Sequence, residues 1–316
     1  MFQCLLRSVA WTACWWLAAS GALAQQGATA EKSQKPQTAE KAWKLVRNVV
    51  YAQRPSGELK ADLFLQQAAG PHPAVVVIHG GAWRTGVKEQ LHFVARRLAD
   101  AGFVAMCIQY RLAPKHKFPA QVEDCQEAVT WLRKHAGKYR VDPNWIAAWG
   151  YSAGAHLATL LALSAQGDRT WQQERKGEAD TGPAPAPQPP PPWHLQAAVG
   201  GGTPADLRTF DADLRILVYW LGATRRQDPR TYDLASPRWW VSPDDPPVFF
   251  YHGTQDRLVN IQQVRDTVAA MKKLGLEVQL LELPERGHIG AALDPRGIDA
   301  GLKFLQQQYQ QYRKRG

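Results

Sequence analysis

The chain reads Ala-Val-Val-Val-Ile from residue 74 to 78 with no polar interruption, the pattern of a strand covered on both faces of a sheet. Upstream, residues 46–51 and 59–66 alternate apolar and polar positions on either side of Pro55-Ser56-Gly57, which predicts two paired strands and a turn. Downstream the period switches repeatedly. Residues 87–101 read as a helix, 103–109 as a strand and 119–135 as a helix; a strand over 145–149 then precedes a helix from Ala153 to about Ser164, with Leu157, Leu160 and Leu161 at helical spacing. Strands over 195–200, 248–251 and 278–283 and helices over 262–274 and 297–312 complete the pattern. This alternation implies parallel strands joined by right-handed crossovers, hence an α/β protein whose mostly parallel, doubly wound sheet carries helices on both faces.

Two segments break the rhythm. Residues 166–193 are charged and then proline-rich, a composition that predicts an exposed, polyproline-like insertion. Residues 203–247 hold short helical pieces and the triplet Arg238-Trp239-Trp240, and predict a small partial lid.

The N-terminus has a different logic. Arg7, the apolar run 9–17 and Ala22-Leu23-Ala24 supply the three regions of a signal peptide over residues 1–24. Residues 25–41 hold few large apolar side chains and read as a disordered spacer, leaving 42–316 as the folded domain. The expectation is an exported chain, periplasmic or extracellular, without stable membrane insertion, because no run reaches spanning length. Export leaves Cys107 and Cys125 as a potential disulfide; the plainer alternative makes each a small buried apolar residue. The net charge of +10 is scattered among acidic residues, so it serves solubility and marks no nucleic-acid-binding stripe.

The chemistry centres on Gly150-Tyr151-Ser152-Ala153-Gly154, between a strand and a helix. Glycines two residues either side of a serine are what a sharp nucleophile elbow needs. A serine hydroxyl is barely nucleophilic at neutral pH, so it requires a base and an acid to orient that base. Of the histidines that follow Ser152, His156 lies on the elbow helix and His252 is fused to a strand end, whereas His288 sits in the loop after the last strand and can reach over the elbow. Asp256 follows the penultimate strand and leaves the same sheet edge; Asp244 and Asp245 precede that strand and read as turn residues. Asp206 is the second candidate, as orienting acid or substrate contact. Gly80 and Gly81, after the 74–78 strand, and the N–H of Ala153 are the candidate oxyanion donors. No metal-ligand spacing and no phosphate-binding glycine loop is present, so neither metal nor cofactor is expected.

Together these motifs resemble the α/β-hydrolase superfamily, and most of all its secreted esterases, the group of bifunctional feruloyl and acetyl-xylan esterases, with similarity to hormone-sensitive-lipase-like esterases and kynurenine formamidases. The resemblance rests on His79 to Trp83, on Tyr110-Arg111-Leu112-Ala113-Pro114 with Phe118-Pro119-Ala120, on Gly150 to Gly154, on Pro246-Pro247 leading to His252-Gly253 and Asp256, and on Gly287-His288. It implies cofactor-free ester hydrolysis by Ser152, Asp256 and His288, with His79 as a loop brace. The chain departs from that pattern in its proline-rich segment and in Ala82, where many relatives have a third glycine. Trp83 walls the substrate pocket or is simply buried, and Trp239 and Trp240 either stack on a sugar or aromatic acyl group or, as is commoner for tryptophans beside a proline turn, serve packing. The expected substrate is a small-molecule or polysaccharide-linked ester with a short or aromatic acyl group. The alternatives are an arylformamidase or small peptidase with the same residues, and a non-catalytic envelope-binding protein.

Overall fold

The protein is described here by a computed structural model covering residues 41–164 and 190–315. The expected signal peptide, all but the last residue of the spacer, and most of the proline-rich segment lie outside the described residues.

Strands β1 (Trp43–Arg54) and β2 (Gly57–Gln66) form an antiparallel pair. Gly57 takes the turn with φ 122°, a value that side chains rarely adopt. Then come β3 (His72–Ile78), a 3₁₀ turn (Lys88–Leu91), α1 (His92–Asp100), β4 (Val104–Ile108), α2 (Ala120–Lys134), α3 (Ala136–Tyr139), β5 (Val141–Tyr151) and α4 (Ala153–Leu163). After residues 165–189 the chain continues with β6 (Ala198–Gly201), α5 (Arg215–Leu221), α6 (Pro229–Leu234), β7 (Val248–Gly253), α7 (Gln262–Lys273), β8 (Val278–Leu283), α8 (His288–Ala292) and α9 (Pro295–Arg315). The eight strands form one sheet in the order β1-β2-β4-β3-β5-β6-β7-β8. The pairs from β4 to β8 are parallel, and β2 joins β4 antiparallel.

Successive side chains of a strand point to opposite faces, and the apolar run in β3 supplies both. Ala74, Val76 and Ile78 join a core with α2, α4 and α7, whereas Val75 and Val77 join a second core with α1 and α9. Cys107 belongs to the second core and Cys125 to the first. The sheet separates them, both are free thiols, and the disulfide alternative is ruled out.

The 87–101 segment is not one helix. Buried Lys88 turns inward to Asp62 (3.3 Å), which His92 Nε2 also approaches at 3.2 Å, and this polar cluster breaks the first turn away from α1. Within 203–247, α5, α6 and the 3₁₀ turn Pro237–Trp240 send Leu217, Trp220, Tyr232 and Trp240 into the core that contains α4. His156 Nε2 on α4 donates to the carbonyl of Ala235 at 2.6 Å and ties this segment to the elbow helix. No helix among the described residues is long and apolar enough to cross a membrane.

Candidate active site

Parallel strands leave their following loops at one edge, and five such loops meet here: those after β3, β5, β6, β7 and β8. Ser152 sits between β5 and α4 with φ 55° and ψ −122°, a backbone conformation strained for any residue with a side chain. The neighbouring glycines have a steric reason. A Cβ on Gly150 would lie 2.2 Å from Gly154 backbone, and one on Gly154 would lie 2.0 Å from the Ile78 carbonyl. The elbow helix therefore presses directly on the end of β3.

His288, the first residue of α8, places Nε2 2.9 Å from Ser152 Oγ. Its Nδ1 lies 2.6 Å from Asp256 Oδ2. An ionised carboxylate only accepts, so the imidazole proton resides on Nδ1 and the bare Nε2 faces the hydroxyl. The Tyr151 hydroxyl donates to the backbone carbonyl of His288 and holds the base from beneath. Gly202 passes beside the ring with φ 56°, and a Cβ there would lie 3.1 Å from His288 Cε1.

Asp256 is buried, which by itself raises a carboxyl's pKa; hydrogen bonds from His252 and His288 and from the Val259 N–H outweigh this and hold it well below the ordinary carboxylate range. Its Oδ1 accepts from the N–H groups of Leu258 and Val259, both at 2.9 Å. Tyr151 and Gly202 carry no role in the sequence reading, and His252 is weighed there only as a base and set aside; only the fold brings the three to Ser152, His288 and Asp256.

Opposite the serine runs the loop after β3. A Cβ on Gly80 would lie 2.9 Å from the Tyr151 carbonyl and 3.5 Å from Ser152 Cβ. Gly81 has φ 109°, and its carbonyl accepts from Arg84 and Thr85 in a tight turn. None of the N–H groups of Gly80, Gly81 and Ala153 donates to a backbone carbonyl in the turns and loops among the described residues. His79 Nδ1 donates to the Gly80 carbonyl at 2.7 Å and its ring stacks on Tyr110 at 4.2 Å; burial pushes its pKa down to about 4, so it braces the loop as a neutral ring.

The remaining expected contacts lie elsewhere. Trp83 is 4% exposed, stacked on Trp220 at 3.9 Å and edge-on to His156, a core wall rather than a pocket wall. Asp206 is held by Arg208 at 2.7 Å and approached by Arg238 at 3.5 Å, while Asp256 occupies the place of the orienting acid. Trp240 is buried and donates to the Leu234 carbonyl, and the Trp239 ring lies beneath the guanidinium groups of Arg208 and Arg230. Each of these tryptophans found a partner in its own chain. Where the loop after β3 continues into Arg84, a cavity of about 590 Å³ is lined by Arg84, Pro114, Arg215, Ile216 and Tyr219.

An eight-stranded, mostly parallel sheet with a strained serine at the turn after β5 defines the α/β-hydrolase fold. Within it the chain belongs to the BD-FAE family, which matches residues 61–271. It is 31% identical over 244 residues to Esterase LipC of Mycobacterium tuberculosis (strain ATCC 25618 / H37Rv), covering 77% of this chain and 59% of that protein. It is 33% identical over 252 residues to the probable carboxylic ester hydrolase LipM of the same organism, covering 76% and 55%. The chain thus spans little more than half the length of these curated relatives. Among solved structures, a truncated carbohydrate esterase from gut microbiota aligns with TM-score 0.70 at 24% identity, covering 85% of this chain and 98% of that one. Thermogutta terrifontis esterase 2 phosphonylated by cyclosarin aligns with TM-score 0.65 at 25% identity, covering 82% and 93%.

Proposed function

We propose that this protein is an exported serine carboxylesterase. The observation that carries the reading is the continuous relay from Ser152 Oγ to His288 Nε2 at 2.9 Å and from His288 Nδ1 to Asp256 Oδ2 at 2.6 Å. Ser152 Oγ bonds to the ester carbonyl carbon as its proton passes to His288 Nε2, and Asp256 balances the charge on the imidazolium. The oxyanion is met by the N–H groups of Gly80, Gly81 and Ala153. Collapse breaks the bond to the alcohol, which leaves with the proton from His288. Water, deprotonated by the same nitrogen, then releases the acid and restores Ser152.

Substrates on this reading are short-chain or aromatic acyl esters, including esters carried on polysaccharide that an exported enzyme would meet. In support, the relatives are named esterases and carboxylic ester hydrolases, one structural neighbour is a carbohydrate esterase, and another is known with propionate and with butyrate bound. The test is a panel of acetyl, butyryl and feruloyl esters given to purified protein and to Ser152→Ala. Turnover of at least one ester, abolished in the variant, supports the reading; equal rates in both remove it.

A further inference from the structure

Asp256 is held by two histidines. His288 Nδ1 lies 2.6 Å from its Oδ2, and His252 Nε2 lies 3.1 Å from the same oxygen. His252 stands near the end of β7, four residues before the acid, and is wholly buried. Its Nε2 has a second neighbour, the carbonyl of Val259 at 2.9 Å. Both neighbours accept hydrogen bonds, so the ring hydrogen must sit on Nε2. The other nitrogen, Nδ1, is buried and has no hydrogen-bond partner among the described residues, as befits the bare nitrogen of that tautomer.

The arrangement closes on itself. Val259 donates its N–H to Asp256 Oδ1 and accepts from His252 with its carbonyl. Leu258 and Val259 donate to Oδ1 and His288 donates to Oδ2, while the one Nε2–H of His252, bonded to the Val259 carbonyl, also stands 3.1 Å from Oδ2. The other nearby carboxylate, Glu282, is paired in register with His252 on β8 but is taken by Arg265 of α7 at 2.7 and 2.8 Å. Asp256 is therefore the acid that His252 serves.

We propose that His252 is a positioning residue for the Ser152, His288 and Asp256 relay: by fastening Val259, whose N–H holds Oδ1, to the end of β7 and by turning the same Nε2–H towards Oδ2, it fixes the carboxylate plane against His288 Nδ1. The idea rests on the hydrolase reading above. A carboxylate turns about a single bond, and a donor on the oxygen that faces the base stops that rotation. Groups that act only through a reacting residue still govern how well it is oriented, because small misplacements at a reacting centre are costly.

The test compares His252→Gln with His252→Met. The two side chains have nearly the same length, and only the first can donate to Asp256. The expected result is a kcat about 10- to 100-fold lower in the methionine variant than in the glutamine variant, the range that corresponds to one hydrogen bond to a charged group, with KM changed less than threefold. The downfield proton resonance of His288 Nδ1–H, read by NMR without substrate, is expected to persist with glutamine and to shift or broaden with methionine. Equal kcat in both variants, or a methionine variant that does not fold by its melting curve, makes His252 a packing residue and overturns the proposal. A wild type that hydrolyses no ester removes the hydrolase reading, and the resonance then still tells whether His252 orders the carboxylate.

Discussion

The two sides of the serine are built by opposite means. The loop after β3 is shaped by backbone conformation: Gly81, Ala82, Trp83 and Gly86 all have positive φ, and the N–H groups of Gly80 and Gly81 are left without backbone partners in the surrounding turns. The loop after β7 is shaped by hydrogen bonds: the Asp256 carboxylate has no oxygen left unengaged, and its donors come from β7, its own loop and α8. Electrostatics explains the contrast. On the proposed mechanism an oxyanion exists only during the reaction, so its donors must wait unpaired, held by a stiff backbone. The orienting carboxylate is charged at all times, and a buried charge is stable only when it is fully hydrogen-bonded.

The largest effect should come from breaking the saturated side. In Asp256→Asn the amide presents donors where His288 and His252 already donate, and the wrong imidazole tautomer follows; kcat is expected to fall about 10⁴-fold with KM nearly unchanged, checked by steady-state kinetics on an activated acetate. Next comes the stiff side. A Cβ on Gly81 would lie 2.3 Å from the Thr85 carbonyl at a φ of 109°, so Gly81→Ala displaces the loop and should cost about 10²- to 10³-fold in kcat, the loss of one oxyanion donor.

Acid separates the two sides further. Burial lowers the pKa of His79 from 6.5 to about 4. Because the folded value lies below the unfolded one, the stability held above pH 6.5 is lost as pH falls through this window, by about 3 kcal/mol at most. His156, also lowered to about 4 by burial, has the same sign, whereas Asp245, raised by burial to about 7, gains stability as pH falls from 7 towards 3.8. Two histidines against one aspartate give a net loss. Asp256, with its lowered pKa, contributes stability that persists until the pH drops below 3.8. Melting temperatures are therefore expected to fall from pH 6.5 to 4.5, and replacing His156 by Leu should flatten that slope.

The smallest effect concerns Ala82, a residue with a side chain at φ 52°. Relief of its left-handed strain, about 1 to 2 kcal/mol, exceeds the extra unfolded-state entropy of glycine, about 0.5 to 1 kcal/mol. Ala82→Gly should thus raise stability by up to about 1 kcal/mol in urea unfolding and leave kcat within twofold.

What could be read from the sequence follows the same division. Strand and helix periods gave the sheet, and the loops at one of its edges gave Ser152, His288, Asp256 and the glycines, because each follows a recognisable strand. His252 is set aside as a base because it is fused to a strand end, and its contact with Asp256, only four residues away, is not legible because it exists only where the chain turns back at the end of β7. The tryptophans are ambiguous in sequence for a related reason. An aromatic ring is equally at home in a core or a pocket, and only packing reveals that Trp83 stacks on Trp220 while Trp240 is buried against the segment around α6. Lys88 broke a regular helical period because its charge sought Asp62, a pairing across 26 residues that no local pattern encodes.

The central claim is that Ser152 is the activated nucleophile. Incubating the purified protein with a fluorophosphonate and locating the adduct by peptide mass spectrometry tests it directly. One phosphonyl group per chain is expected, on Ser152, formed at least about 10³-fold more slowly in His288→Ala. Labelling at another residue, or equal labelling of Ser152 without His288, would contradict it.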